Sequence, residues 1–242
     1  MHLLLVGAWP ELANQLVALP ARVSLLQQPK SVDAREQEWA HRYVEVEYGE
    51  VDAAVAVAER IHHEDPVDVV VGFREFALPA VAANGHRTGP CHVELILTDE
   101  GPAIVEINRR LGGDRIWELV RLATGRDIMA ESLWDAAGAE PPLIGTRSAA
   151  AAIRFLTPAG PATVADELPR DAAIGVPGFL RGVISVPGPG AEVEPASSSL
   201  GRFGYVLVSA ADAESAAAAA PPAPARPRGR RGAPRPRAPP AA

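Results

Sequence analysis

Residues 92–120 read HVELILTDEGPAIVEINRRLGGDRIWELV, and the first two-thirds of this stretch decides how the chain is organised. Side chains alternate between apolar and polar on both sides of Asp99-Glu100-Gly101, which predicts an antiparallel hairpin with strands at His92–Thr98 and Pro102–Arg109. Centring that hairpin on Glu100 sets Glu94 opposite Glu106 and His92 opposite Asn108. Because successive side chains point to opposite faces, Val93, Leu95, Leu97, Ala103, Val105 and Ile107 form one apolar face that is expected to pack on a core. His92, Glu94, Glu106, Asn108 and Arg110 share the other.

Two carboxylates directly opposite on neighbouring strands repel and weaken the pairing. Two arrangements relieve this. A hard divalent cation such as Mg²⁺ takes one or two protein carboxylates and completes its shell with water and phosphate oxygens. Asn108 adds a neutral oxygen on the same face, and Arg110 offers a two-pronged donor for phosphate or carboxylate. Alternatively the face is simply solvated, with Arg109 or Arg110 neutralising the glutamates. The pattern alone leaves both readings open.

Upstream, Leu3 to Ala8 reads as an apolar strand, Leu12, Leu16 and Leu19 recur at helical spacing, and Arg22 to Gln27 reads as a second strand. Tyr43 to Tyr48 is a third strand, Ala54, Val57, Ala58 and Ile61 form a helical stripe, and Asp68 to Gly72 is a run typical of a buried parallel strand. Residues 1–84 are thus a Rossmann-like α/β layer, closed by a polar connector from Asn84 to Pro90. Downstream, Asp114 is the expected cap of a helix with stripe Ile116, Leu119, Val120 and Ala123, Gly125 its stop, and Asp127 to Ala137 a second helix. Residues 146–210 alternate short strands, at Ala151 to Thr157, Phe179 to Val186 and Gly204 to Val208, with Pro/Gly/Ser-rich turns.

The last segment, 211–242, is almost wholly alanine, proline and arginine, a composition that cannot bury enough apolar surface to stay ordered. The expected fold class is therefore α/β (mixed α+β), with the hairpin and its two helices, 85–145, between an N-terminal α/β layer and a β-rich module, and a disordered tail. The formal charge is −7, and six of the positive charges, Arg226, Arg228, Arg230, Arg231, Arg235 and Arg237, lie in the tail. The remaining body, near −13 by that subtraction, has no basic footprint for nucleic acid. One cysteine, Cys91, excludes an internal disulfide, and no apolar run approaches the ~20 residues of a membrane span, so a cytoplasmic protein is expected. His62-His63 and Cys91 read as incidental, and Gly201 and Gly204 flank Arg202 either as a strand-entry turn or as a close approach to a ligand carboxylate.

The segment 92–120 resembles the C-terminal metal hairpin of ATP-grasp enzymes, in which a glutamate, a spacer and Glu-X-Asn-X-Arg precede a glycine-rich turn. The run LGG, then AAAIRFLT, SSSLGRFGYV and, earlier, VVVGFREFALPAVAA, are similar in particular to the L-amino-acid ligase branch. The resemblance implies ATP and Mg²⁺ (or Mn²⁺) as cofactors, with Glu94, Glu106 and Asn108 as metal ligands. Glu106, Asn108 and Arg110 then face the nucleotide phosphates, and Arg110 stabilises an acyl-phosphate intermediate. It further implies ATP-dependent joining of a carboxylate to an amine, with an amino acid or other small carboxylate as substrate.

The same family carries a long segment between its N-terminal domain and this hairpin, with phosphate-clamping lysines and the adenine slot. Here His92 follows Ala83 by nine positions and Lys30, the only lysine, lies elsewhere. The chain is accordingly read as an internally truncated member with an impaired reaction. Two other classes stand beside that reading: a non-catalytic metal- or nucleotide-binding module that associates with itself or with a full-length ligase, and a protein that touches nucleic acid through its tail.

Overall fold

The computed structural model describes residues 1–31, 34–83, 89–141, 146–167, 169, 171 and 174–220. The arginine-rich stretch 221–242 and most of the 84–90 connector lie outside the described residues. The chain divides into two compact units, 1–146 and 147–242.

The first unit is built around β1 (His2–Val6), every residue of which is buried. It pairs in parallel with β2 (Arg22–Gln27) on one side and β4 (Val69–Gly72) on the other, and β2 pairs with β3 (Arg42–Glu45), giving the order β3-β2-β1-β4. The period of two sends Leu3 and Leu5 to one face and Leu4 and Val6 to the other. On the first face they meet Leu12 and Leu16, next to or within helix α1 (Ala13–Ala18), with Leu25, Phe73, Trp117, Met129 and Leu133. On the second they meet Ala54, Ala58 and Ile61 of α3 (Val51–Glu64) and Ala80 and Val81 of α4 (Leu78–Ala83). Gly72 is required here, because a Cβ at that position would lie 2.5 Å from Val81 Cγ2. A short helix, α2 (Ala34–Trp39), bridges β2 and β3, and its buried Glu36 accepts hydrogen bonds from Gln27 Nε2.

Trp117 belongs to α5 (Ile116–Thr124), and Met129 and Leu133 to α6 (Ile128–Ala136). Segment 85–145, separated in the sequence reading, therefore shares its helical core with the N-terminal sheet. The buried face of α5 also differs from the expected stripe. Trp117 and Glu118 are buried while Ile116 is exposed, because Trp117 stacks on Trp9 at 6.0 Å and Glu118 receives the guanidinium of Arg115. Asp114 is not the cap: it and Arg115 both adopt left-handed backbone, and Arg115 takes the cap position. Gly125 ends α5 in left-handed conformation, as expected, and the second helix forms as α6 with Asp127 as its cap, accepting from Ala130 N–H.

The second unit is an antiparallel sheet of order β7-β11-β9, from β7 (Ala150–Phe155), β9 (Phe179–Ile184) and β11 (Gly204–Ala210). A two-residue pair, β8 (Ala162–Thr163) with β10 (Glu192–Val193), accompanies it. A Cβ on Gly204 would fall 1.8 Å from Val183 carbonyl oxygen, so strand pairing accounts for this glycine. The start of the supposed tail is ordered: α7 (Ala213–Ala219) is capped by Asp212, and Ala216 and Ala220 are buried, Ala220 in this unit's core. Alanine's high helix propensity and an acidic cap outweigh the low complexity that suggested disorder.

At the amino-terminal end of the parallel sheet, buried His2 places Nε2 2.8 Å from Ser24 Oγ and Nδ1 3.1 Å from Asp65 carbonyl oxygen. Asp65 also accepts two hydrogen bonds from Arg22, at 2.8 and 2.9 Å. Desolvation pushes the Asp65 carboxyl up, but the Arg22 hydrogen bonds and charge, with His2 and His41, outweigh it and hold it below the ordinary carboxylate range. A lowered folded-state value stabilises the fold at pH above the unfolded value and loses that effect as pH falls through the folded one. Asp65→Asn should therefore lower the urea midpoint at pH 7 and lose less stability than the wild type on acidification below about pH 4. Leu5→Ala, at the crossing of strand and core, should cost ~2–5 kcal/mol in urea unfolding. Val17→Ala, on the exposed side of α1, should stay within about 0.5 kcal/mol.

Candidate active site at the base of the hairpin

The hairpin forms as β5 (His92–Thr98) and β6 (Gly101–Asn108). Its base carries the expected register: His92 faces Asn108, Val93 faces Ile107, and Glu94 faces Glu106. Its tip does not. Thr98 pairs with Gly101, leaving a two-residue turn of Asp99 and Glu100 in place of the expected three. Thr98 Oγ1 donates to Gly101 carbonyl at 2.7 Å and accepts from Glu100 N–H, closing the turn. A β-bulge between Glu94 and Leu95 absorbs the offset, so Leu95 faces Ile104 and Ile96 faces Ala103. Ala103 therefore moves to the other face from the one expected.

A second expectation fails with it. The apolar set does not pack on a core: Val93, Leu95, Leu97, Val105 and Ile107 are all exposed, Leu97 to 84%, and Ile96 and Ile104 are exposed as well. Alternation identifies which residues share a face, and what covers that face depends on the rest of the chain.

At the base, Glu94 and Glu106 are exposed and adjacent across the strands. The nearest cationic group recorded for Glu94 is His92, with Nδ1 3.9 Å from the Glu94 carboxylate. Asn108 is half-buried, and its Nδ2 is sealed from solvent with no acceptor, as is His92 Nδ1. Two carboxylates and a constrained amide, with no Lys or Arg ion-paired to either acid among the described residues, make a donor set of hard oxygens that suits Mg²⁺. Among the described residues no three His, Cys, Asp or Glu side chains are gathered to hold a metal, so the third protein ligand would be the Asn108 amide oxygen.

Arg110 leaves the hairpin and turns toward the parallel sheet. Its side chain is 12% exposed, one guanidinium nitrogen lies 3.4 Å from Glu75, and another donates to Leu111 carbonyl at 3.0 Å. This brings the hairpin base to the carboxyl end of β4, where Glu75 follows Arg74. Arg74 donates to Tyr48 Oη at 3.4 Å and lies 5.9 Å from the Trp9 ring centroid. These residues come from three separate loops and carry no sequence motif. Of the incidental features, His62 accepts from Val67 N–H at the end of α3, and Cys91 is exposed. No helix among the described residues is long and apolar enough to cross a membrane.

By sequence the chain matches no family model and no curated protein. By structure it is similar to L-amino acid ligase from Bacillus licheniformis, with TM-score 0.68 and 13% identity over 90% of this chain and 95% of that one. It is also similar to phosphoribosylglycinamide synthetase from Anaerococcus prevotii, with TM-score 0.61 and 9% identity over 90% of this chain and 96% of that one. These likenesses show a shared fold, a mixed α/β architecture with parallel and antiparallel sheets.

Facing carboxylates also make a prediction about the metal-free chain. Glu106→Gln should remove a repulsion and raise the unfolding free energy from urea titration in EDTA by less than about 1 kcal/mol.

Proposed function

We propose that this chain descends from ATP-dependent carboxylate–amine ligases, that it binds Mg-ATP through Glu94, Glu106, Asn108 and Arg110, and that it has lost efficient ligation. The observation that carries this reading is the register at the hairpin base, which sets Glu94 against Glu106 with no Lys or Arg ion-paired to either among the described residues. Glu94, Glu106 and the Asn108 amide oxygen would hold the ion. The bound ion supplies charge neutralisation for the phosphate oxygens of the nucleotide. Arg110, anchored by Leu111 carbonyl and Glu75, keeps a two-pronged cation at the same end, suited to an oxyanion beside the metal.

Loss of turnover follows from what phosphoryl transfer demands. The reaction is driven by positioning and by charge stabilisation around the transferred group. The segment 84–91 that joins α4 to β5 is too short for a nucleotide-clamping domain, and Lys30 sits in the short turn Pro29–Ser31 after β2. A site that neutralises phosphate without gripping the nucleotide retains binding and forfeits rate. The fold likeness to an L-amino acid ligase favours a small amino acid or related carboxylate as the ancestral substrate.

Isothermal titration of the full chain with Mg-ATP should give saturable binding that Glu106→Gln weakens at least tenfold and EDTA abolishes. ADP release in the presence of amino-acid mixtures should stay near the no-enzyme background. Absence of Mg-dependent binding would overturn the metal site, and rapid amino-acid-dependent ADP release would overturn the loss of catalysis.

A further inference from the structure

Along the parallel sheet the chain runs β1, β2, β3 in one direction and then returns to place β4 on the far side of β1. The order reverses between β1 and β4, and loops leaving the carboxyl ends of two such strands diverge to open a crevice, the general position of ligands in open parallel sheets. The residues leaving those ends are Gly7 to Trp9 after β1 and Phe73 to Glu75 after β4. Tyr48, following β3, also reaches this position.

We infer that this crevice is an oxyanion-binding subsite, with Arg74 as its anchor and a carboxylate or phosphate group as its ligand. Gly7 lies beneath, in left-handed conformation. A Cβ there would stand 2.9 Å from Tyr48 Oη and 3.1 Å from Arg74 Cδ, so the glycine admits both side chains over the end of β1. Tyr48 is only 1% exposed, which fixes its hydroxyl, and that hydroxyl accepts from Arg74 Nη1 at 3.4 Å. The Trp9 ring, 5.9 Å from the guanidinium carbon, borders the cation on another side and is itself held by stacking on Trp117. Arg74 is thus positioned by three neighbours, none of which carries a negative charge.

Its charge has no carboxylate partner among the described residues, and its Nε is closed to water without an acceptor. The adjacent Glu75 pairs with Arg110 instead. A half-buried guanidinium in this state gives up hydration without compensation, and an oxyanion accepting from its free N–H groups restores the balance with two-pronged geometry. The subsite requires neither metal nor nucleotide and stands independently of the Mg-ATP reading.

The test is titration of the full chain, in EDTA and at constant ionic strength, with inorganic phosphate and separately with acetate, read by tryptophan fluorescence and thermal shift. Saturable binding of either ion supports the subsite, and the ion that binds tighter identifies the ligand as phosphate-bearing or carboxylate. Arg74→Met, which keeps an apolar stem against Gly7, should abolish binding, and Arg74→Lys should weaken it at least tenfold. Glu106→Gln should leave it within twofold. If Arg74→Met does not fold, Arg74→Lys and Tyr48→Phe decide, with unchanged affinity in both overturning the assignment. Failure of both ions to saturate, or loss of binding in Glu106→Gln, would overturn it equally.

Discussion

The first unit depends on burying both faces of β1. Four residues feed two separate cores, Leu3 and Leu5 on one side and Leu4 and Val6 on the other, and no other strand of the sheet serves both so completely. With strands paired along both edges, β1 leaves no backbone edge for water. Helices on both faces follow as a necessity, since an apolar strand buried on each side needs a cover on each side. That constraint explains why α5 and α6, which follow the hairpin in sequence, return to pack with the N-terminal sheet, and why the residues after β1 and β4 are held close together.

What sequence could reveal follows the range of the forces involved. Strands β1, β2 and β4 and helix α3 were legible because their patterns are local and strongly periodic. The face of α5 was not, because burial of Trp117 is decided by Trp9, more than a hundred positions away, and burial of Glu118 by the guanidinium of Arg115. At the hairpin, alternation gave the correct pairing at the base and the wrong pairing at the tip, since turn length is set by local hydrogen bonds of Thr98 that alternation does not record. The bulge is the compromise between the two, preserving the pairing of the acids while accepting a tighter turn.

The candidate site divides along the same line. Glu94, Glu106 and Asn108 lie on neighbouring strands of one hairpin, so counting residues was enough to bring them together. Arg110 was placed on the same face by counting, but its anchoring by Glu75, which follows β4, was not legible in the spacing. Arg74, Tyr48, Trp9 and Gly7 come together only through the order of strands in the sheet, and no spacing along the chain announces them. Exposure of the hairpin's apolar side chains was equally hidden, because a pattern of alternation specifies a face and says nothing of its cover.

The position of β1 also bears on how the chain acquires its structure. Leu3 pairs with Val69, and His2 N–H donates to Asp68 across 66 positions. During synthesis β1 emerges before β4, so one edge of this apolar strand stays open until β4 has left the ribosome. Contacts of such long sequence separation carry a loop-closure cost and slow folding. Until then an all-buried strand is covered along only one edge, and the delay is set by the time taken to make residues 28–68, which lie between β2 and β4.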